Sequence, residues 1–304
     1  MKNFLLNFLR KVISIILTQE SGNKINASLY KFKNKHKRIF RLIYGTANDE
    51  EIFNNILQKL DGKVDILMIH SSLNGMVPMY TGSLNKLLSL ILSYCKQNNI
   101  TLAMPAFFSG SNLEAKEYYE NGKHIFNVGK TFSQMGMLSE LFRRTPNVKR
   151  SIHPTHSICA LGPLADLLTK NHHHADTTFG EGTPFGEVIK YRTIILGIGT
   201  KSPQPLTQVN SAPDIMKNEF PINLYSEMIP VTCVDEIGNS KIYNLRIRKR
   251  EFKIDRKTVK KILRRKVIEW TYKGIPFLLA QADVVTNVII EAARNGQTIY
   301  MKRK

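Results

Sequence analysis

From residue 49 onward, short apolar runs that stop at polar turns alternate with amphipathic stretches. No other feature of the chain restricts its fold so tightly. "DEEIFNNILQKL" and "SLNKLLSLILSYCKQN" have helical spacing, whereas "KVDILMIH" is a short apolar run ending at a polar turn and "ITLAMPAFF" reads as a strand closed by Pro105. The order continues through "MGMLSELFRR", "SICALG", "FGEVIKY" and "RTIILGIGT". It predicts an α/β fold in which a central mixed, largely parallel sheet is flanked by helices and buried on both faces. After residue 225 the pattern becomes apolar-polar alternation about Gly238-Asn239, which predicts a β-hairpin. A basic helix and a closing helix ("DVVTNVIIEAARNG") follow, giving a small C-terminal hairpin/helix subregion. The stretch 106–130 is polar, glycine-bearing and aromatic, and reads as a long loop lining a site.

The start of the chain is different in kind. "MKNFLLNFLRKVISIILT" has apolar side chains at 4, 5, 8, 9, 12, 13 and 16, the spacing of an extra amphipathic helix. It is too short and too charged to span a bilayer, and no secretory cleavage site follows. With the basic run "KFKNKHKRIFR" behind it, it reads as an anchor on the anionic inner face of a membrane, or equally as a helix packed on its own domain or on a second subunit in a homodimer. Residues 1–47 are therefore set apart from a domain over 48–304.

A hydrophobic share of 42% suffices for a full core, and three isolated cysteines in apolar surroundings indicate neither disulfides nor zinc, which fits a reducing cytoplasm. The net charge of +20 calls for an anionic partner: nucleic acid, a membrane surface or a phosphorylated cofactor. The most basic run, "RIRKREFKIDRKTVKKILRRK", has little aromatic interleaving and no known reading motif, which argues against a specific nucleic-acid target.

Three polar clusters fall where strands should end, the usual place for ligands on open α/β sheets: His70–Leu73, Arg150–Ser157 and Phe179–Phe185. Ser71 and Ser72 stand between a strand and a helix, where hydroxyls and backbone N–H groups hold anions. In "GEGTPF", Thr183 suits a helix cap and Pro184 the first turn, leaving Glu181 on a turn as a carboxylate for a cation, or as a solvated side chain of an ordinary helix entry. His153 and His156 flank Pro154-Thr155; either is a titratable group near neutrality, or the two are a hydrogen-bonded pair in a turn. "LGIGT" lacks the spacing of a dinucleotide fingerprint, and "NHHH" (171–174) reads as solvated loop rather than metal site.

In order and content, these segments resemble the aminoglycoside 3-N-acetyltransferase family. The resemblance rests on "HSSL", "LAMPAFF", "SQMGMLSELFRR", "VKRSIHPTHSICALGPLADLL", "FGEGTPFGEV", "IILGIG" and "GIPFLLAQADVV", and covers roughly residues 48–300. It implies an acetyl-CoA-dependent N-acetyltransferase acting on an amine of an aminoglycoside or related amino sugar, with no metal. It places the coenzyme against His70, Ser71, Ser72, Leu73, Arg150 and Ser151. The chain departs from the family at the catalytic histidine, whose position is held by Thr207, and at the nearby acid, whose position is held by Asn210.

A threonine is a poor base for an ammonium acceptor. His156 is the substitute candidate, with Glu181 as its carboxylate neighbour and His153 fixing the turn. Glu114, Glu117 and Glu120 could receive a polycationic acceptor, or be ordinary surface charges. Two alternatives stand beside this reading: an amino-sugar acyltransferase of surface polysaccharide synthesis, and a coenzyme-binding protein without catalysis.

Overall fold

The computed structural model describes residues 30–110, 114–120, 122 and 124–303; the amphipathic segment 1–18 lies outside them. A seven-stranded sheet runs in the order β10-β11-β6-β1-β2-β5-β4. Its centre is β1 (Ile66–Ser71), parallel to both β2 (Thr101–Pro105) and β6 (Thr193–Ile198). Outside these three, pairing is antiparallel: β5 (Ile158–Leu161) on β2, β4 (Lys149–Arg150) on β5, β11 (Ile275–Gln281) on β6 and β10 (Val267–Tyr272) on β11. The sheet is mixed as expected, but its parallel part is only these three central strands.

Strand β1 shows why both faces are covered. Leu67 and Ile69 enter one core cluster, Ile66 and Met68 the other, so a continuous apolar run serves two helical layers. One layer holds α1 (Lys37–Tyr44), α2 (Asp49–Leu57), α4 (Leu84–Gln97) and α6 (Met137–Arg143), with the single turn α3 (Leu73–Met76) between β1 and α4. Helix α2 begins at Asn48 with a capping box closed by Glu51, and buries Ile52 and Ile56. The opposite layer holds α7 (Ala165–Thr169), α8 (Pro184–Glu187), α9 (Ser211–Met216), α10 (Arg256–Leu263) and α11 (Ala282–Arg294).

The hairpin forms where the alternation places it. β7 (Tyr225–Val234) pairs with β8 (Ser240–Arg248), and Asp235 accepts the backbone N–H groups of Ile237 and Asn239 to close the turn. Two expectations are corrected. The segment 106–130 is more than a loop: it contains a helix, α5 (Ala115–Tyr119), and β3 (Phe126–Asn127), which pairs with β7, and both Tyr119 and Phe126 are fully buried. The boundary at residue 47 also moves. Phe40 and Ile43 of α1 are buried, Arg41 donates to the Pro78 carbonyl, and Ala47 bridges to Tyr80, so the second half of the basic extension is built into the domain.

Candidate functional site

The carboxyl ends of β1 and β6 open into a hollow of about 480 Å³ lined by His70, Ser71, Ser72, Leu73 and Asn74, by Gln134–Met137 and by Thr200, Gln204 and Pro205. It brings together four of the residues assigned to the coenzyme. Two glycines set the path of the chain beside it. A Cβ on Gly75 would sit 1.8 Å from the Gly199 carbonyl oxygen, and Gly199 itself has φ +71° and lies against the Ser72 carbonyl. The chain leaving β6 can therefore nest on the turn leaving β1 only without side chains at both positions.

His70 is 5% exposed, and its Nε2 finds no protein partner among the described residues. Burial pushes its imidazole down to about 3, so the ring is neutral at physiological pH. A buried, unpaired ring nitrogen costs roughly 1–3 kcal/mol. The hydroxyls of Ser71 and Ser72 line the same space, but α3 is a single turn, too short to contribute a substantial helix dipole.

The histidine motif reaches the same end of the sheet from the other direction. Because β5 runs antiparallel to β2, the turn preceding β5 lies beside the end of β2. His153 is fully buried; its Nδ1 accepts the N–H groups of Thr155 (3.2 Å) and His156 (3.0 Å), which fixes the turn. His156 shares a 2.7 Å hydrogen bond between its Nδ1 and the Thr155 hydroxyl, and its ring packs edge-on against Phe107 (4.8 Å) and Phe179 (4.9 Å). Burial, then the nearby Arg248 and His172, push His156 down to about 3. Phe107 joins the two centres, since its carbonyl accepts the Gln134 N–H from the wall of the hollow while its ring rests on His156.

Several assigned residues sit elsewhere. Glu181 is exposed on the rim of a separate hollow with Asn171, His174, Asp176 and Lys217, and is not the carboxylate neighbour of His156. The cap that precedes α8 does form, with Thr183 Oγ1 accepting the Gly186 N–H. Arg150 is buried and donates to Ser157 Oγ and to the carbonyls of Ala106, Val128 and Thr131, so its guanidinium is committed to the frame rather than to a coenzyme phosphate. Ser151 is likewise internal, bonded to His172 Nδ1 and to the Ile158 N–H. His172 is buried with its Nε2 facing the Thr178 carbonyl, so that member of "NHHH" is not solvated. Among the described residues no three His, Cys, Asp or Glu side chains are grouped to hold a metal.

Thr207 opens a short 3-10 turn, Thr207–Asn210, and its hydroxyl is buried without a protein partner. Asn210 Oδ1 accepts from Arg248 and from the Tyr300 hydroxyl, both at 3.1 Å. Just beyond it, Asp214 accepts the Tyr225 hydroxyl and the Phe179 N–H, and burial holds its carboxyl above the usual range. Asp214, Tyr225 and Arg248 were missed because only the fold carries the hairpin back over α9.

Residues 68–210 match the family model described as aminoglycoside 3-N-acetyltransferase. Over that segment the chain is aminoglycoside 3-N-acetyltransferase-like. An aminoglycoside N(3)-acetyltransferase III from Salmonella sp is 26% identical over 164 residues, 50% of this chain and 56% of the relative. The chain thus spans about half the length of the curated relatives it matches. Among solved structures, the aminoglycoside acetyltransferase AAC(3)-Xa superposes with a TM-score of 0.68 at 16% identity, covering 88% of this chain and 99% of the other. AAC-IIIb in a binary complex with CoASH superposes with a TM-score of 0.59 at 15% identity, covering 83% and 98%. These two likenesses establish the fold.

Proposed function

We propose that the chain is an acetyl-CoA-dependent N-acetyltransferase whose hollow at the ends of β1 and β6 receives the acyl-bearing arm of the coenzyme. The observation that carries the reading is His70, a residue lining the hollow whose buried Nε2 finds no partner among the described residues. The fold of a protein solved with CoASH and the family match over 68–210 support it. A coenzyme A thioester supplies the activated acyl carbon. His70, neutral and fixed by burial, offers one hydrogen bond to a polar group of the bound arm; Leu73, Met135, Met137 and Pro205 exclude water from it. In the transfer, the acceptor nitrogen bonds to the acyl carbon, the carbon–sulfur bond breaks, and the proton lost by the amine balances the departing thiolate. His156 is the proposed base through its Nε2, since Nδ1 is held by Thr155; lowered to about 3 by burial, it takes the proton in concert with attack of the nitrogen on the acyl carbon, not from a free ammonium.

One observation favours an amino-sugar acceptor over a polycationic aminoglycoside. The carboxylates of the 106–130 segment are already matched within the chain: Arg250 binds Glu114 (2.9 Å) and Glu117 (2.6 Å), and Lys116 binds Glu227 (2.7 Å) and approaches Glu120 (3.6 Å). With the family acid replaced by Asn210 and a net charge of +20, little is left to attract a polycation.

The test is thiol release from acetyl-CoA across aminoglycosides and nucleotide-linked amino sugars, with calorimetry of the coenzyme on the same samples. Turnover that drops about 10²-fold in His70→Ala, with weakened coenzyme binding, supports the site. Coenzyme binding without turnover on any amine makes the chain a binder. Unchanged coenzyme binding in His70→Ala removes the hollow from the proposal, and unchanged turnover in His156→Ala removes the base.

A further inference from the structure

We infer that α1 and the helical stretch 30–35 ahead of it form a docking face for an anionic lipid surface. The helix has two apolar sides. Phe40 and Ile43 point into the domain and are buried, whereas Ile39 (53% exposed) and Leu42 (73% exposed) project outward, with Phe32 (50% exposed) ahead of them in the chain. Phe32 is held in place by its own contacts, edge-on to Phe40 at 6.2 Å and against His36 at 4.7 Å. Phe32, Ile39 and Leu42 are thus three large exposed apolar side chains within eleven residues.

The cations interleaved with them decide what covers the face. Lys31, Lys35, Lys37, Arg38 and Arg41 are exposed, and the sequence holds no acidic residue between Glu20 and Asp49. Among the described residues no carboxylate pairs with Lys31, Lys35, Lys37 or Arg38. A second copy of the chain docking here in a two-fold pair would set these charges against themselves. Nucleic acid would satisfy the cations but leave Leu42 and Ile39 in water. A membrane interface with acidic headgroups satisfies both at once, because long basic side chains reach the phosphates while the apolar ones enter the acyl boundary. The preceding sequence continues the same composition, with Phe4, Leu5, Phe8, Leu9, Val12 and Ile13 among Lys2, Arg10 and Lys11. Among the described residues no helix is long and apolar enough to cross a bilayer.

The experiment is vesicle flotation of the full chain with phosphatidylcholine alone or mixed with phosphatidylglycerol. A basic chain adsorbs to acidic vesicles by charge alone, so the deciding variant is the apolar pair Ile39→Gln with Leu42→Gln, exposed positions whose change leaves the core intact. Wild type should float with acidic vesicles, and the pair should lower the partition about tenfold or more. Lys35→Gln and Arg38→Gln should each lower it about fivefold. A dye on Leu42→Cys should shift to shorter wavelength when acidic vesicles are added. Binding that is unchanged in the glutamine pair, with no shift of the dye, reduces the interaction to coulombic adsorption and overturns the proposal. So does a concentration-dependent dimer in sedimentation that the same pair dissolves.

Discussion

The hydroxyl of Tyr225 donates to Asp214 Oδ1 over 2.6 Å, which ties the first strand of the hairpin to α9 beneath it. The other oxygen of the same carboxylate takes the Phe179 N–H at 2.8 Å, and the Phe179 ring packs on His156. Tyr225→Phe should therefore cost about 1.5–3 kcal/mol of stability in urea titrations, the range for a hydrogen bond to a charged group. It should also perturb the His156 ring resonances, though residue 225 is far away in sequence. Unchanged stability would mean that the buried acid is satisfied without the hairpin.

Three buried imidazoles and a half-buried fourth, His156, make the fold acid-sensitive. His70, His156 and His172 are each pushed down to about 3, and His153 well below its ordinary value, in every case chiefly by burial. Below an ordinary pKa of about 6.5 the unfolded chain takes up protons that the folded chain refuses, so stability falls as pH drops and keeps falling toward pH 3. The slope should approach about 1.4 kcal/mol per pH unit for each imidazole. Urea midpoints at pH 7.5 and pH 5 measure it, and His172→Gln should make the slope shallower by one imidazole's share.

Gly75→Ala should be among the most damaging single-methyl changes in the chain. The added carbon meets the Gly199 backbone, not a flexible side-chain end, so the loop after β6 must move. Losses of several kcal/mol are typical where the backbone cannot yield, and the hollow beside it should distort with it. Thermal melts alongside coenzyme titrations will show both effects together; a loss of stability with intact coenzyme affinity would detach the glycine contact from the site.

Arg250→Ala frees Glu114 and Glu117 for an external cation. Stability should change little, because exposed ion pairs contribute little. The KM for a polycationic aminoglycoside should fall several-fold while that for an anionic amino sugar rises. Equal KM values in variant and wild type would show that these carboxylates lie outside the acceptor's path.

The parts of the fold legible in the sequence are those written in local periodicity. β1, β2, β6, the hairpin about Gly238-Asn239 and the Thr183-Pro184 helix entry follow from spacing and turn chemistry, and the ordered motifs pointed to the family. Strand direction was not legible: "SICALG" looks the same running parallel or antiparallel, and only its pairing on β2 shows why a histidine turn ahead of a strand reaches the same sheet end as a serine turn behind one. Charge misled at Arg150, since nothing local distinguishes a guanidinium that binds phosphate from one absorbed by backbone carbonyls. Glu181 misled for the opposite reason, a carboxylate on the turn before a helix entry that is turned to another hollow.

The Arg150 arrangement has a consequence for how such a chain can diversify. Apart from Ser157, its hydrogen bonds go to main-chain carbonyls, at Ala106, Val128 and Thr131, while its guanidinium lies over the Phe126 ring at 4.9 Å. Beyond Phe126 and Ser157, such a tether is indifferent to the side chains borne by the segments it holds. Substitutions along those segments can alter what the protein greets at its mouth while the scaffold stays in register, so recognition and architecture are free to evolve on separate schedules.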